Sequence, residues 1–233
     1  MKQFLYDDFG VIIHTSNIWR ALEAARWSRK VARRKASERN EVLRGKWVGY
    51  CLQFTADQLV FIDESAANER TGDRKYGWSP VNVECEVFSS LKRSERWSIL
   101  PALDVNGYFA WLIYQGSING NLFLEFVRDQ VLPSCEPYPG KRSVLVMDNA
   151  SIHHSQALKD LCEEHGVRLE YLPPYSPDKN PIESTFKDLK TWIRRHYLEA
   201  MSFARFDSFL EVAVQLMCVK DMKMHFEHCG YKI

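Results

Sequence analysis

Three acidic residues stand where metal chemistry could be done. Asp63 closes the apolar run Leu59-Val60-Phe61-Ile62, Asp148 closes Val144-Leu145-Val146-Met147, and Glu183 follows the proline-rich stretch YLPPYSPDKNPIES of residues 171–184. A short apolar run of this kind reads as a buried strand, so each Asp would sit at the carboxyl edge of a sheet. If the two strands are adjacent and parallel, both carboxylates emerge at one edge, where α/β sheets hold their ligands. The segment between Asp148 and Glu183 reads as helix, strand and stiff loop, a length suited to bringing a third acid back to that side. Taken by itself Glu183 has a simpler reading. Asn180 is a good N-cap, Pro181 suits the first helical position, and Glu183 three residues after Asn180 completes a capping box. Three carboxylates at one edge change the reading, because they cannot all stay ionised without positive charge among them. Oxygen ligands without thiolate or paired imidazole suit Mg²⁺ or Mn²⁺. Two such ions about 3.5–4 Å apart serve an in-line attack of water or a 3′-hydroxyl on a phosphodiester.

The surrounding pattern supplies elements to carry these acids. From about residue 57 strands and helices alternate. The segment WSILPALDVNGYFAWLIYQG predicts two strands joined by a turn that ends in Gly107, and NGNLFLEFVRDQVL has helical spacing up to Pro133. SQALKDLCEEHG reads as a helix stopped by Gly166, VRLEYL as a further strand, and residues 181–197 as a helix. The tail from 203 reads as helices packed on the sheet. The expectation is an α/β domain with a central mixed sheet and flanking helices over residues 57–233. Ahead of it, Gly10 marks a turn, Thr15 or Ser16 can cap a helix, and Ile18, Leu22 and Ala25 share one face. That is the outline of a partial helix-turn-helix over residues 1–35. Residues 36–56 read as a basic linker or exposed helix.

Charge separates these parts. The 233 residues carry a net charge of +1, but residues 1–50 hold 11 Lys and Arg against 5 Asp and Glu, leaving the remainder at −5. A basic arm on an acidic body suits a polyanion held beside a metal site. The candidates for DNA contact are Ser16, Asn17 and Arg20 on the helix, and Arg29, Lys30, Arg33, Arg34 and Lys35 in the arm. No apolar run reaches the roughly 18–20 residues that cross a bilayer. The acidic start MKQFLYDDFG is unlike a signal peptide, and RKVARRK can be read as a nuclear import signal. The six cysteines have no C-x-x-C pair, a pattern of reduced thiols in a cytosolic or nuclear protein.

FIDES, VMDNASIHHS and LPPYSPDKNPIE, with 34 residues between Asp148 and Glu183, together resemble the catalytic signature of the mariner-type DDE transposases. The resemblance spans residues 57–233 and includes RKYGWSP and the closing HFEHCGY. It implies a ribonuclease-H-like fold, with Asp63 on the first strand, Asp148 just after the fourth and Glu183 on a following helix. Those three residues would be both catalytic and metal-binding, with Mg²⁺ or Mn²⁺, by analogy two ions. The resemblance further implies nicking at terminal inverted repeats, joining of the 3′ ends to target DNA at TA, a homodimer or higher assembly on DNA, and a nuclear location. Family members usually carry two helix-turn-helix subdomains. Residues 1–35 resemble only the second, so relative to the family the sequence reads as N-terminally truncated. The alternative reading is a non-catalytic, transposase-derived DNA-binding protein.

Other residues take supporting parts. Asn149 would hydrogen-bond near the metal or hold the turn, and Asn180 and Pro181 would set the position of Glu183. Strand alternation sends Glu64 to the other face from Asp63. His153 and His154 could touch DNA or a leaving group, but as a pair at a helix start they read first as capping or surface residues. Arg74 and Lys75 are read as facing DNA, and Trp78 as facing DNA or the core.

Overall fold

The computed structural model describes residues 1–30, 37–68, 71, 78–86, 95–200, 202–218 and 221–233. Arg33, Arg34, Lys35, Arg74 and Lys75 lie outside them. The chain divides into two compact units, Met1–Ser37 and Glu38–Ile233. The first holds helices α1 (Lys2–Phe9) and α2 (Thr15–Ala24). Gly10 ends α1 in the left-handed region at φ 63°, and α2 starts one residue earlier than its pattern suggested. His14 is the N-cap, its Nδ1 accepting from the Ser16 amide at 3.4 Å. Neither helix buries a residue. Asn17, Arg20, Arg29 and Lys30 are exposed and Ser16 is partly so.

The second unit is built on six strands, β1 (Leu59–Ile62), β2 (Ser65–Ala67), β3 (Trp97–Asp104), β4 (Gly107–Gln115), β5 (Val144–Met147) and β6 (Arg168–Tyr171). Its helices are α3 (Glu41–Cys51), α4 (Gly120–Phe126), α5 (Gln156–Glu164), α6 (Pro181–Arg195), α7 (Tyr197–Ala200), α8 (Phe206–Cys218) and α9 (Lys223–Cys229). The sheet is mixed: β1 pairs parallel with β5, β5 parallel with β6, and β3 antiparallel with β1, β2 and β4. On β3 the β1 and β2 pairings are one register with a gap, since Phe61 faces Leu103 and Ser65 faces Ile99. Asp63 and Glu64 fall in the gap, where the continued register sets Asp63 opposite Pro101, a residue with no amide proton to give. The short β2 makes β5 the fifth strand rather than the fourth.

Period-two alternation divides the core between the two faces of the sheet. Leu59, Phe61, Val144 and Val146 join Ile182, Phe186, Leu189 and Ile193 of α6 and the apolar sides of α8 and α9. Val60, Ile62, Leu145 and Met147 point the other way, onto Phe123 and Phe126 of α4 and Leu158 and Cys162 of α5. Among the described residues no helix is long and apolar enough to cross a membrane.

The stretch read as a basic linker, residues 36–56, differs most from its expectation. It carries α3, capped by the Asn40 side chain on the amides of Val42 and Leu43, with Arg44, Trp47 and Cys51 buried. Two of its basic residues, Arg39 and Arg44, are engaged in ion pairs. The Arg44 guanidinium donates to both oxygens of Asp178, at 3.0 and 2.6 Å, and to Glu41. Trp78, left between DNA and core, is fully exposed.

Candidate active site

The parallel pairing of β1 with β5 matches Leu59 to Val144 and Phe61 to Val146. Continued two residues past the ladder, the same register sets Asp63 beside Asp148. Alternation puts both on the face that α6 packs against, and α6 brings Glu183 in its first turn. A cavity of about 390 Å³ opens between them, lined by Asp63, Asp148, Glu183, Asn149, Asn180 and the prolines of the 172–177 loop.

Each carboxylate is held differently. Asp63 accepts from the Glu64 amide at 2.8 Å on Oδ1 and from the Asn180 side-chain amide at 2.8 Å on Oδ2. Both donors are neutral. Burial, with Asp148 and Glu183 nearby, pushes its carboxyl up to about 7. Asp148 accepts on Oδ1 from the Ala150 amide and from His153 Nδ1, both at 2.8 Å. The His153 hydrogen bond is the main reason its carboxyl lies below the usual range. In turn the His153 imidazole, despite its burial, is raised to about 9 by Asp148 and Glu64.

The loop that ends in Glu183 does not use its capping box. Asn180 is the N-cap residue of α6, but its side chain makes no cap hydrogen bond and turns to Asp63 instead. Pro181 occupies the first turn, as its fixed φ favours. Glu183 is therefore not engaged as a cap, and its carboxylate lines the cavity. Asn149 holds the turn: its side-chain amide donates to the Leu172 carbonyl, tying the end of β5 to the end of β6. Lys179 Nζ donates to the Cys229 carbonyl at 3.0 Å, and the Tyr231 hydroxyl donates to the Lys179 carbonyl at 2.8 Å, so the chain terminus grips the same loop.

One of these expectations needs correction. His153 is neither a cap nor a surface residue but fully buried, its ring against Phe123 at 4.5 Å. Glu64 does leave Asp63 for the opposite face, and there its Oε1 meets His153 Nε2 at 3.4 Å. The local pattern holds no sign of this pairing, since the two residues are 89 positions apart. His154 is exposed and stacks on Tyr171.

Among the described residues no three His, Cys, Asp or Glu side chains are drawn tightly enough to chelate an ion as they stand. The three acids line the cavity rather than close on a point. The donor set nevertheless fits a hard divalent cation. It is made of carboxylate oxygens and an amide, with no thiolate, and among the described residues no cationic side chain pairs with Asp63.

A mixed sheet that offers acids from the ends of two adjacent strands, with a third from a helix on the same face, defines a ribonuclease-H-like nuclease core. The chain belongs to the DDE superfamily endonucleases, whose family model matches residues 58–202. Among solved structures it is similar to a pre-cleavage Mos1 transpososome, with 18% identity and a TM-score of 0.69 over 97% of this chain and 73% of that one. It is likewise similar to the Mos1 mariner paired-end complex with Mn, at 18% identity and TM-score 0.68 over 98% and 70%. The catalytic domain of Mos1 mariner transposase gives 14% identity and TM-score 0.55 over 86% and 91%. At these identities the likeness is one of fold. No curated protein matches the sequence.

Proposed function

We propose that the chain is a DNA transposase that cuts phosphodiester bonds at transposon ends and transfers the freed 3′ ends into target DNA. Asp63, Asp148 and Glu183 would hold Mg²⁺ or Mn²⁺, two ions by analogy with the family pattern. When bound, the ions supply Lewis acidity at the attacking and leaving oxygens. The carrying observation is the electrostatics of the cavity: three carboxylates line it, and Asp63 is pushed to about 7 with no positive side chain paired to it among the described residues. The chain's own residues supply rigidity. Neutral donors fix both oxygens of Asp63, His153 and Ala150 fix one oxygen of Asp148, and the prolines of the 172–181 loop stiffen the wall that carries Glu183. A phosphate entering such a cavity meets groups already in place.

The partner is double-stranded DNA, the terminal inverted repeats and a TA target, engaged by a homodimer or higher assembly in the nucleus. Supporting this is the similarity to Mos1 structures described as paired-end complexes, one with the left transposon end. Ser16, Asn17, Arg20 and the basic residues 29–35 would meet the repeat.

The test is metal-dependent nicking of a plasmid carrying terminal repeats. Asp148→Asn should abolish nicking, a loss larger than the roughly 100-fold an outer-shell change costs, while the melting temperature holds. Undiminished nicking would remove Asp148 from the chemistry. A wild-type chain that binds the repeat but nicks in neither Mg²⁺ nor Mn²⁺ would favour the non-catalytic DNA-binding alternative.

A further inference from the structure

Behind Asp148, on the face of the sheet away from α6, a polar cluster is set against the core residue Phe123. His153 is at its centre, on the 3-10 turn Ser151–His154. Its Nδ1 is 2.8 Å from Asp148 Oδ1 and its Nε2 is 3.4 Å from Glu64 Oε1. Phe123 lies against the ring, and the Tyr171 hydroxyl donates to the His153 carbonyl at 2.6 Å. Nε2 and Glu64 Oε1 are both buried and, among the described residues, make no well-directed hydrogen bond, although they stand 3.4 Å from each other. A histidine kept merely to fill apolar space would not carry two carboxylates, one on each nitrogen.

The consequence falls on Asp148. With Ala150 and His153 both donating to Oδ1, the carboxylate rotamer is fixed. Among the described residues Oδ2 accepts no hydrogen bond, which leaves it for the cavity. We infer that His153 is a positioning residue for the nuclease centre: from the opposite face of the sheet it sets which oxygen of Asp148 faces the cavity, and Glu64 holds the imidazole from behind. This rests on Asp148 being a metal ligand. Hydrogen-bonded partners of metal-ligating carboxylates fix their orientation, and losing one costs about 10- to 100-fold in metal affinity.

Two substitutions separate positioning from packing. In His153→Asn the side-chain amide nitrogen falls near the place of Nδ1 and can still donate to Asp148. In His153→Gln it falls near the place of Nε2 and cannot. Mn²⁺ titration of the full chain should show His153→Gln weaker by about 10- to 100-fold, with His153→Asn recovering most of the loss. Packing alone predicts the reverse order, because Asn leaves the larger void. Thermal melts of both variants record that packing cost separately. Equal weakening in the two variants, or wild-type affinity in His153→Gln, would overturn the inference. A metal-free measurement stands beside it. Nitrogen-15 spectra of the wild-type imidazole should show a slowly exchanging Nδ1–H that Asp148→Ala abolishes, and its absence from the wild type would also overturn the inference. A wild-type chain that takes up no Mn²⁺ would sink the metal reading of Asp148. The imidazole signal would then uphold or overturn the contact by itself.

Discussion

Asp63 and Asp148 are the same side chain at matching positions on neighbouring strands, yet their surroundings drive them in opposite directions. Burial and two nearby acids raise Asp63 to about 7, while the His153 hydrogen bond lowers Asp148. The asymmetry has a measurable sign. Between the ordinary carboxyl value of 3.8 and about 7, the folded chain holds a proton on Asp63 that the unfolded chain has lost. Stability of the metal-free protein therefore falls as pH rises through that window, by at most about 4 kcal/mol from this group. Asp63→Asn removes the ionisation. The new amide can still meet Asn180, whose buried Oδ1 has no hydrogen-bond partner among the described residues and becomes available when that amide turns over. In chelator at pH 8, Asp63→Asn should melt several degrees above wild type, with the gap falling to less than half by pH 5 and closing only below about pH 4. An equal or lower melting temperature at pH 8 would mean that Asp63 is already balanced. The acids themselves were legible because each follows a local pattern, a four-residue apolar run or a proline-stiffened loop. His153 was not, because burial and a partner 89 positions away are what give it meaning.

At the level of elements, the loop entering α6 is held from outside by parts of the chain distant in sequence. Tyr231 sits between α3 and the loop, its hydroxyl accepting from Trp47 Nε1 at 3.1 Å and donating to the Lys179 carbonyl at 2.8 Å. Tyr231→Phe leaves a buried N–H and a carbonyl without partners, a cost of about 1–3 kcal/mol. The expected result is a melting temperature lower by several degrees, together with reduced nicking, because the loop carries Glu183. Unchanged stability would show that water replaces the hydroxyl. Gly107 makes a second test. It has φ 135°, and a Cβ there would stand 2.6 Å from the Cys218 carbonyl oxygen and 2.8 Å from that of Met217. Gly107→Ala must therefore lift the β3–β4 turn off the end of α8 and should cost more than 1 kcal/mol, read by denaturant unfolding. The strands and α6 could be read from periodicity, and Gly107 from its place in a turn. Helix α3 could not, because its buried Arg44 depends on Asp178, 134 positions away. The Asn180 capping box was misread for a related reason: a local motif gave way to a tertiary partner.

For the whole molecule, the sequence shows the division of charge but not the boundary between the units. The compact nuclease unit begins at Glu38 rather than near residue 57, because α3 packs into it. Arg44 is consequently part of the core rather than of the arm. The surplus of basic residues over residues 1–50 falls instead on positions such as Arg20, Arg29 and Lys30, which are exposed. Each phosphate that such a residue neutralises releases counterion and adds about −0.9 to the slope of log affinity against log salt. Replacing Arg29, Lys30, Arg33, Arg34 and Lys35 together with Gln should shallow that slope by up to about 4.5 on duplex DNA of arbitrary sequence. The melting temperature should stay near wild type, since exposed Arg29 and Lys30 make no described ion pair. Fluorescence anisotropy between 50 and 200 mM salt reads the slope directly. A slope unchanged in the quintuple variant would place the phosphate contacts on the nuclease unit, and its acidic balance would then have to be offset by bound metal rather than by the arm.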